Sequence, residues 1–235
     1  MTGRTLPRLH LAIVLIAVAL LGCGDKEAAQ RKAFIEFLQT RIVAKPGIHV
    51  PKLTADETAA FGDYAKHYAV IADFNSALDQ QVSKPLHQAV EAGAPRSLED
   101  AVGRRKDIAT MLGGMTAINA ALDRQLATAD AAHAALKQPD DLKPVYDTAY
   151  DRDVTQPAKA FAEIFPEAAG ALKEFLEFAD FVEQHRSAIR IQGSQIQLSD
   201  AALQPQLKKM MDGLSARQAG IQKAQQRLRS LAYGA

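Results

Sequence analysis

Tryptophan is absent from this chain of 235 residues, cysteine occurs once, and aromatic residues make up only 6%. A lone cysteine excludes an intramolecular disulfide, a cysteine-built zinc cluster and a dithiol redox pair. Charge of one sign is missing too: 28 basic residues face 27 acidic ones, for a formal +1. That balance gives no footing for a nucleic-acid-binding tail, and an apolar content of 48% is too high for disorder. Strand signals are nearly absent.

What is present begins with an export signal over residues 1–22. Arg4 and Arg8 form a positive n-region, and Leu11 to Leu21 is an uncharged apolar run. Its eleven residues are too few for a membrane span, which needs ~20, but suit a signal core. The boundary reads Leu20-Leu21-Gly22-Cys23, and Leu20 is too large for the −3 position of an ordinary secretory site. The tetrad resembles the lipobox of bacterial lipoproteins. That resemblance implies cleavage between Gly22 and Cys23, and an S-diacylglyceryl, N-palmitoyl Cys23 at the head of the mature chain. More than one acyl chain holds a protein stably on a bilayer, whereas one alone does not. Gly24 rather than Asp follows the cysteine. This favours the outer membrane, periplasmic face, over the inner membrane.

Cleavage takes Arg4 and Arg8 from the 28 bases and leaves 26 against 27 acids, a formal −1. The remaining charge is uneven. Eleven acids face four bases between Asp140 and Glu183, and six bases face Asp212 alone between Gln204 and Ala235. Two readings stand for the basic C-terminal helix: contact with anionic headgroups, or packing beside the acidic segment.

Helical periodicity runs through residues 23–235, which read as one all-α domain, an elongated multi-helix bundle; two lobes hinged near Pro139 are the alternative. The first helix is expected from about Lys26 to Val43, capped by Asp25, with the stripe Phe34, Ile35, Leu38 and Ile42. Thr54 and Glu57 have capping-box spacing and open a second helix. Its seam of Phe61, Tyr64, Tyr68, Ile71, Leu78 and Val82 admits Asn75, either to fix register or as a watered edge. Pro85 kinks or ends this helix. Ser97 caps a long third helix to about Lys137, in which Gly113-Gly114 implies close helix approach or a bend. Asp140 and Asp141, after Pro139, suit the start of a short helix carrying Leu142, Val145 and Tyr146. Pro157 opens another short element, and Pro166 the first turn of a broad-faced, Phe-rich helix to about Ile189. A β-hairpin near residues 190–197 with Gly193-Ser194 at its tip precedes a closing helix from Pro205 to Tyr233, whose seam Arg217 interrupts.

Motifs for zinc proteolysis, phosphate loops, dinucleotides, nucleophile elbows and haem attachment do not occur. No catalytic residue or cofactor is therefore expected. Asp130 and His133, one helical turn apart, are the nearest approach to a metal-ligand pair. His133 also falls on an apolar stripe, as a satisfied core histidine would. His87 and Glu91 read as a surface pair, and Met111, Met115, Met210 and Met211 as core.

Several stretches then match together: Gly24 to Glu27, Gln30 to Gln39, Leu53 to Asp56, Asp130 to Gln138, and Asp140 to Val145. With the lipobox they resemble a proteobacterial family of periplasm-facing lipoproteins, a domain of unknown function with an enterobacterial type member. The likeness is densest from the lipobox to about Pro157. It implies lipidation of Cys23, an envelope location and a mostly helical fold, and carries no catalytic residue. The expectation is a non-catalytic binding or scaffolding module, with the membrane and an envelope protein as partners and no nucleic acid. A metal-binding or small-ligand carrier, or an enzyme, built within the bundle is the alternative. The small-ligand version requires a hydrophobic cavity beside the Phe-rich helix.

Overall fold

A computed structural model of the chain describes residues 25–93, 95, 97–193 and 195–234. The signal segment, the Gly22–Cys23 cleavage site and the lipidated Cys23 lie outside the described residues. Among those described, the fold is all-α with one small antiparallel hairpin, as expected. No helix among them is long and apolar enough to cross a membrane.

Helix α1 (25–37) includes Asp25 in its body, not as its cap, and widens into a π turn over Leu38–Val43. Phe34, Leu38 and Ile42 are fully buried, and Phe37, outside the expected stripe, is buried with them. Helix α2 (Ala55–Phe61) starts at a complete Thr54–Glu57 capping box. The expected continuous second helix breaks at Gly62, whose φ of 58° belongs to the left-handed region that glycine tolerates, before α3 (Tyr64–Leu78). A second π turn over Asp79–Ser83 leads directly into α4 (Lys84–Gly93), so Pro85 neither ends nor interrupts the run.

Ser97 caps α5 (Leu98–Gly103) by accepting from the Asp100 N–H at 3.1 Å, and α6 (Arg105–Ala135) follows after a break at Arg104. Helix α7 (Lys143–Tyr150) runs through a third π turn, Asp151–Thr155, into α8 (Gln156–Gln184). Pro166 was expected to open a helix, yet it lies inside α8. Interior proline costs ~3 kcal/mol or more. Burial of Leu172, Phe178, Phe181 and Val182 along the same helix, packed against α5, α6 and α9, offsets that cost. Strands β1 (Ile189–Gln192) and β2 (Gln195–Leu198) pair Ile191 with Ile196, with Gly193 at φ 63° in the turn. Helix α9 (Gln204–Tyr233) closes the chain along α8.

Prolines explain where two of the three turns widen. Pro85 and Pro157 each stand two positions after a π turn, in which the Lys84 and Gln156 N–H groups reach back to Asp79 and Asp151. A proline ring collides with the carbonyl four residues behind it. A wider turn moves that carbonyl aside and keeps the helix continuous.

The main core gathers α1, α2, α3, α6 and α7 around rings in contact. Phe37 lies 5.1 Å from Phe61 and 5.2 Å from Tyr68, centroid to centroid, and Phe34 lies 5.4 Å from Phe61. A second core joins Leu98, Phe178, Phe181, Val182 and Ile189 under the hairpin, and a third holds Ala101, Ile108 and Leu172.

The basic face of α9 meets the acids of α8, the second of the two readings its charge allowed. Arg217 spans Glu167 at 3.2 Å and Glu174 at 3.0 Å, and Arg227 pairs with Glu163. Glycines make room for this network: a Cβ on Gly213 would stand 2.5 Å from the Glu174 carboxylate. Of the two readings of Gly113 and Gly114, close approach does not hold, since a Cβ on either meets nothing within 4 Å.

Candidate functional site

Asp130 and His133 share the last turns of α6 but serve different partners. His133 Nε2 lies 2.8 Å from Asp147 Oδ1, and Lys143 holds the other oxygen of Asp147 at 2.7 Å. Asp130 instead accepts a 2.7 Å hydrogen bond from the Tyr150 hydroxyl. The His133 ring packs on Tyr150 with centroids 4.1 Å apart, as a satisfied core histidine does. Burial raises the Tyr150 hydroxyl above its ordinary range, and the Asp130 carboxylate adds to it. Among the described residues no group of three or more His, Cys, Asp and Glu stands where a metal ion could be held.

Asp140 and Asp141 do not cap α7. Leu142 holds the cap position without a side-chain bond, and Asp141 reaches Arg31 of α1 at 3.2 Å. Arg31 is thereby bound to the fold, with Glu27 at 3.5 Å on its other side. His87 and Glu91 form the expected surface pair at 3.1 Å.

Asp153 pairs with Asp151 in the sequence, a spacing that does not sort it from solvated acids. It is fully buried in the third π turn, and its Oδ1 accepts from the His49 N–H at 3.3 Å while Oδ2 has no hydrogen-bond partner. Removal from water pushes its carboxyl up to about 7, against smaller opposing effects of the His49 bond and the Arg152 charge. Arg152, its neighbour, donates to the main-chain oxygens of Val43 at 3.0 Å, Lys45, and Gly47 at 3.1 Å. Asn75, noted only as a polar residue on an apolar seam, donates to the carbonyls of Ile71 at 3.0 Å and Asp153 at 2.8 Å. The residue that read as register-fixing or watered therefore joins two helices directly. These bonds tie the loop after α1 to the joint between α7 and α8, a structural rather than a chemical arrangement.

A feature with room for a ligand lies elsewhere. An apolar cavity of about 520 Å³, partly open to solvent, lies between α4, α6, α8 and α9. Phe161, Ile164 and Leu172 of α8 form its floor, and Met111 and Met115 of α6 one wall. Leu86 comes from α4, Ile221 and Leu228 from α9, and Ser83, His87 and Gln225 give its few polar atoms. A second cavity of about 450 Å³ adjoins it under α5 and shares Pro95, Ala171, Phe175 and Ile221. Among the described residues no Asp, Glu, Lys or Arg lines either cavity. Small-molecule sites are concave, mainly apolar and typically ~300–1,000 Å³. This is the hydrophobic cavity that the small-ligand reading required. Its lining residues read in the sequence only as helix stripes, because a wall and a core present the same spacing.

An all-α bundle with an open apolar cavity is thus the class of molecule that fold and site define. The chain belongs to the family described as "Protein of unknown function (DUF3053)", which matches residues 11–229. That span continues to the last helix, past the Pro157 limit of the motifs legible in the sequence. The chain is similar to the "Uncharacterized protein YiaF" of Escherichia coli (strain K12), with 33% identity over 226 residues and 95% of each chain covered. The same figures hold for the YiaF proteins of Escherichia coli O157:H7 and Shigella flexneri. No solved structure matches.

Proposed function

We propose that this chain is a bacterial envelope lipoprotein, anchored through Cys23 to the outer membrane on its periplasmic face, whose helical body is a non-catalytic module that binds an apolar ligand. The observation that carries the binding role is the uncharged cavity of about 520 Å³ among α4, α6, α8 and α9. Water in such a cavity has few polar partners, so an apolar occupant gains most of the transfer free energy of its buried surface. The n-region, the apolar run and the Leu-Leu-Gly-Cys boundary support the anchor. The membrane is then the first partner, reached through lipid, and nucleic acid is none.

The test uses the full chain in membranes of the cells that express it. A compact apolar photolabel, a trifluoromethyl-phenyl diazirine, is activated and the modified peptides are mapped by mass spectrometry. Labelling is expected on the segments around Met111, Phe161 and Ile221, and to fall at least fivefold in Ala171→Trp, with Ala168→Phe as a second cavity-filling variant. Circular dichroism confirms that each variant is folded. Labelling that ignores these segments, or that is unchanged in folded cavity-filled variants, overturns the reading.

A further inference from the structure

The cavity and its neighbour adjoin along one trough between α8 and α9, with Ala171 and Phe175 of α8 and Ile221 of α9 lining both. On α8 the lining runs from Phe161 to Phe175, and at 1.5 Å per residue that is about 21 Å. On α9 it runs from Met211 to Leu228, about 26 Å. One leaflet of a bilayer, half of a ~30 Å hydrocarbon core, gives the length of a lipid acyl chain as about 15 Å.

Shape and chemistry agree on the occupant. The trough is long, bounded by four helices around the first cavity, and among the described residues no Asp, Glu, Lys or Arg lines it. Polar atoms are sparse in the first cavity, where the exposed His87 already pairs with Glu91, and the second adds the neutral side chains of Ser97, Ser215 and Gln218. Among the described lining residues there is no Lys or Arg to neutralise a carboxylate or a phosphate, so a charged headgroup is left outside. Methionines at 111, 115 and 211 are unbranched and adapt to a chain without fixed contour.

We infer that the trough between α8 and α9 takes the acyl chain of a membrane lipid, recognised by its length and not by its headgroup. The inference rests on the apolar-ligand reading above and narrows it to one class of ligand. Anchorage within reach of a bilayer supplies such chains without a long diffusive step.

The experiment competes unlabelled octanoate, dodecanoate and hexadecanoate, below their aggregation concentrations, against the compact photolabel on the full chain in membranes. A further arm uses a hexadecanoyl lysophospholipid. Competition is expected to strengthen by up to roughly fourfold for each added methylene across the series. The lysophospholipid should compete within a fewfold of hexadecanoate. A photolabel bound in the trough but not displaced by any chain overturns the acyl inference and leaves the binding module standing. Displacement that does not depend on chain length, or that disappears when the headgroup changes, overturns it equally. Failure of the photolabel itself to mark the trough removes both.

Discussion

The Asn75 amide donates a 2.8 Å hydrogen bond to the main-chain oxygen of Asp153, the carbonyl that Pro157 cannot serve. In an α-helix that oxygen takes the N–H four residues on, and proline has none. A side chain from α3 supplies the missing donor. The polar residue on the α3 seam is therefore explained by a proline 82 positions away in the chain.

Asn75→Leu keeps the branched shape and the number of side-chain heavy atoms and removes both donated bonds. Stability is expected to fall by about 1–3 kcal/mol, the cost of a carbonyl left unpaired in the interior. Urea denaturation read by circular dichroism measures it. An unchanged midpoint would mean that solvent reaches the Asp153 oxygen and that the seam does not need the amide.

Asp153 itself makes stability depend on pH. Its carboxyl is held near 7 in the fold, against 3.8 as the ordinary value, because burial leaves Oδ2 without a partner. A raised value in the folded state means that the protonated form is favoured there. Its contribution is complete below about pH 4 and is lost as pH rises to about 7. At ~1.4 kcal/mol per tenfold change in proton affinity, the loss reaches up to about 4 kcal/mol. Asp153→Asn keeps an acceptor for the His49 N–H and never ionises. Above pH 7 it should be more stable than the parent, and the gap should close toward pH 4. Parallel stability profiles for the two proteins would refute the buried neutral acid.

Some of this was legible in the sequence, and the reasons for the remainder are physical. Phe34, Leu38 and Ile42 announced a buried face, and the Thr54–Glu57 spacing announced a helix start, because both signals are local. Pro166 misled for the opposite reason: its penalty is local, but the packing of α8 on α6 and α9 that outweighs it is not. A π turn adds one residue without changing composition, so only the prolines behind it leave a trace. Asp153 looks like any acid of its run until Asn75, His49 and Arg152 are brought around it. The trough is hidden in the same way, since Phe161 and Leu172 have identical helical spacing whether a helix or a ligand faces them.

Gly113 and Gly114 are exposed in the interior of α6, and a Cβ on either meets open space. Their conformational freedom then acts only on the unfolded chain. Gly113→Ala and Gly114→Ala should each stabilise the protein by about 0.5–1 kcal/mol, and the two together additively. Thermal unfolding at fixed protein concentration reads the gain. Destabilisation by either alanine would show that α6 relies on glycine for a bend or a partner at that point.

The proposed anchor places a geometric demand on the first helix. Helix α1 is already formed at Asp25, two residues beyond Cys23, and its packing is engaged by Phe34. The nine helical steps from Asp25 to Phe34 span about 14 Å, which leaves no length of chain for a long tether between a lipid on Cys23 and the body. Arg31 is fixed to Asp141 of the α7 approach, which couples that short spacer to the bundle. Cys23→Ala removes the acceptor of the diacylglyceryl group. The variant should lose metabolic labelling by palmitate entirely, and should appear either in the soluble periplasmic fraction or as an uncleaved precursor of higher mass. The parent should sediment with the outer membrane. Membrane retention of a processed, unlabelled variant would mean that the bundle itself, and not lipid on Cys23, holds the protein at the envelope.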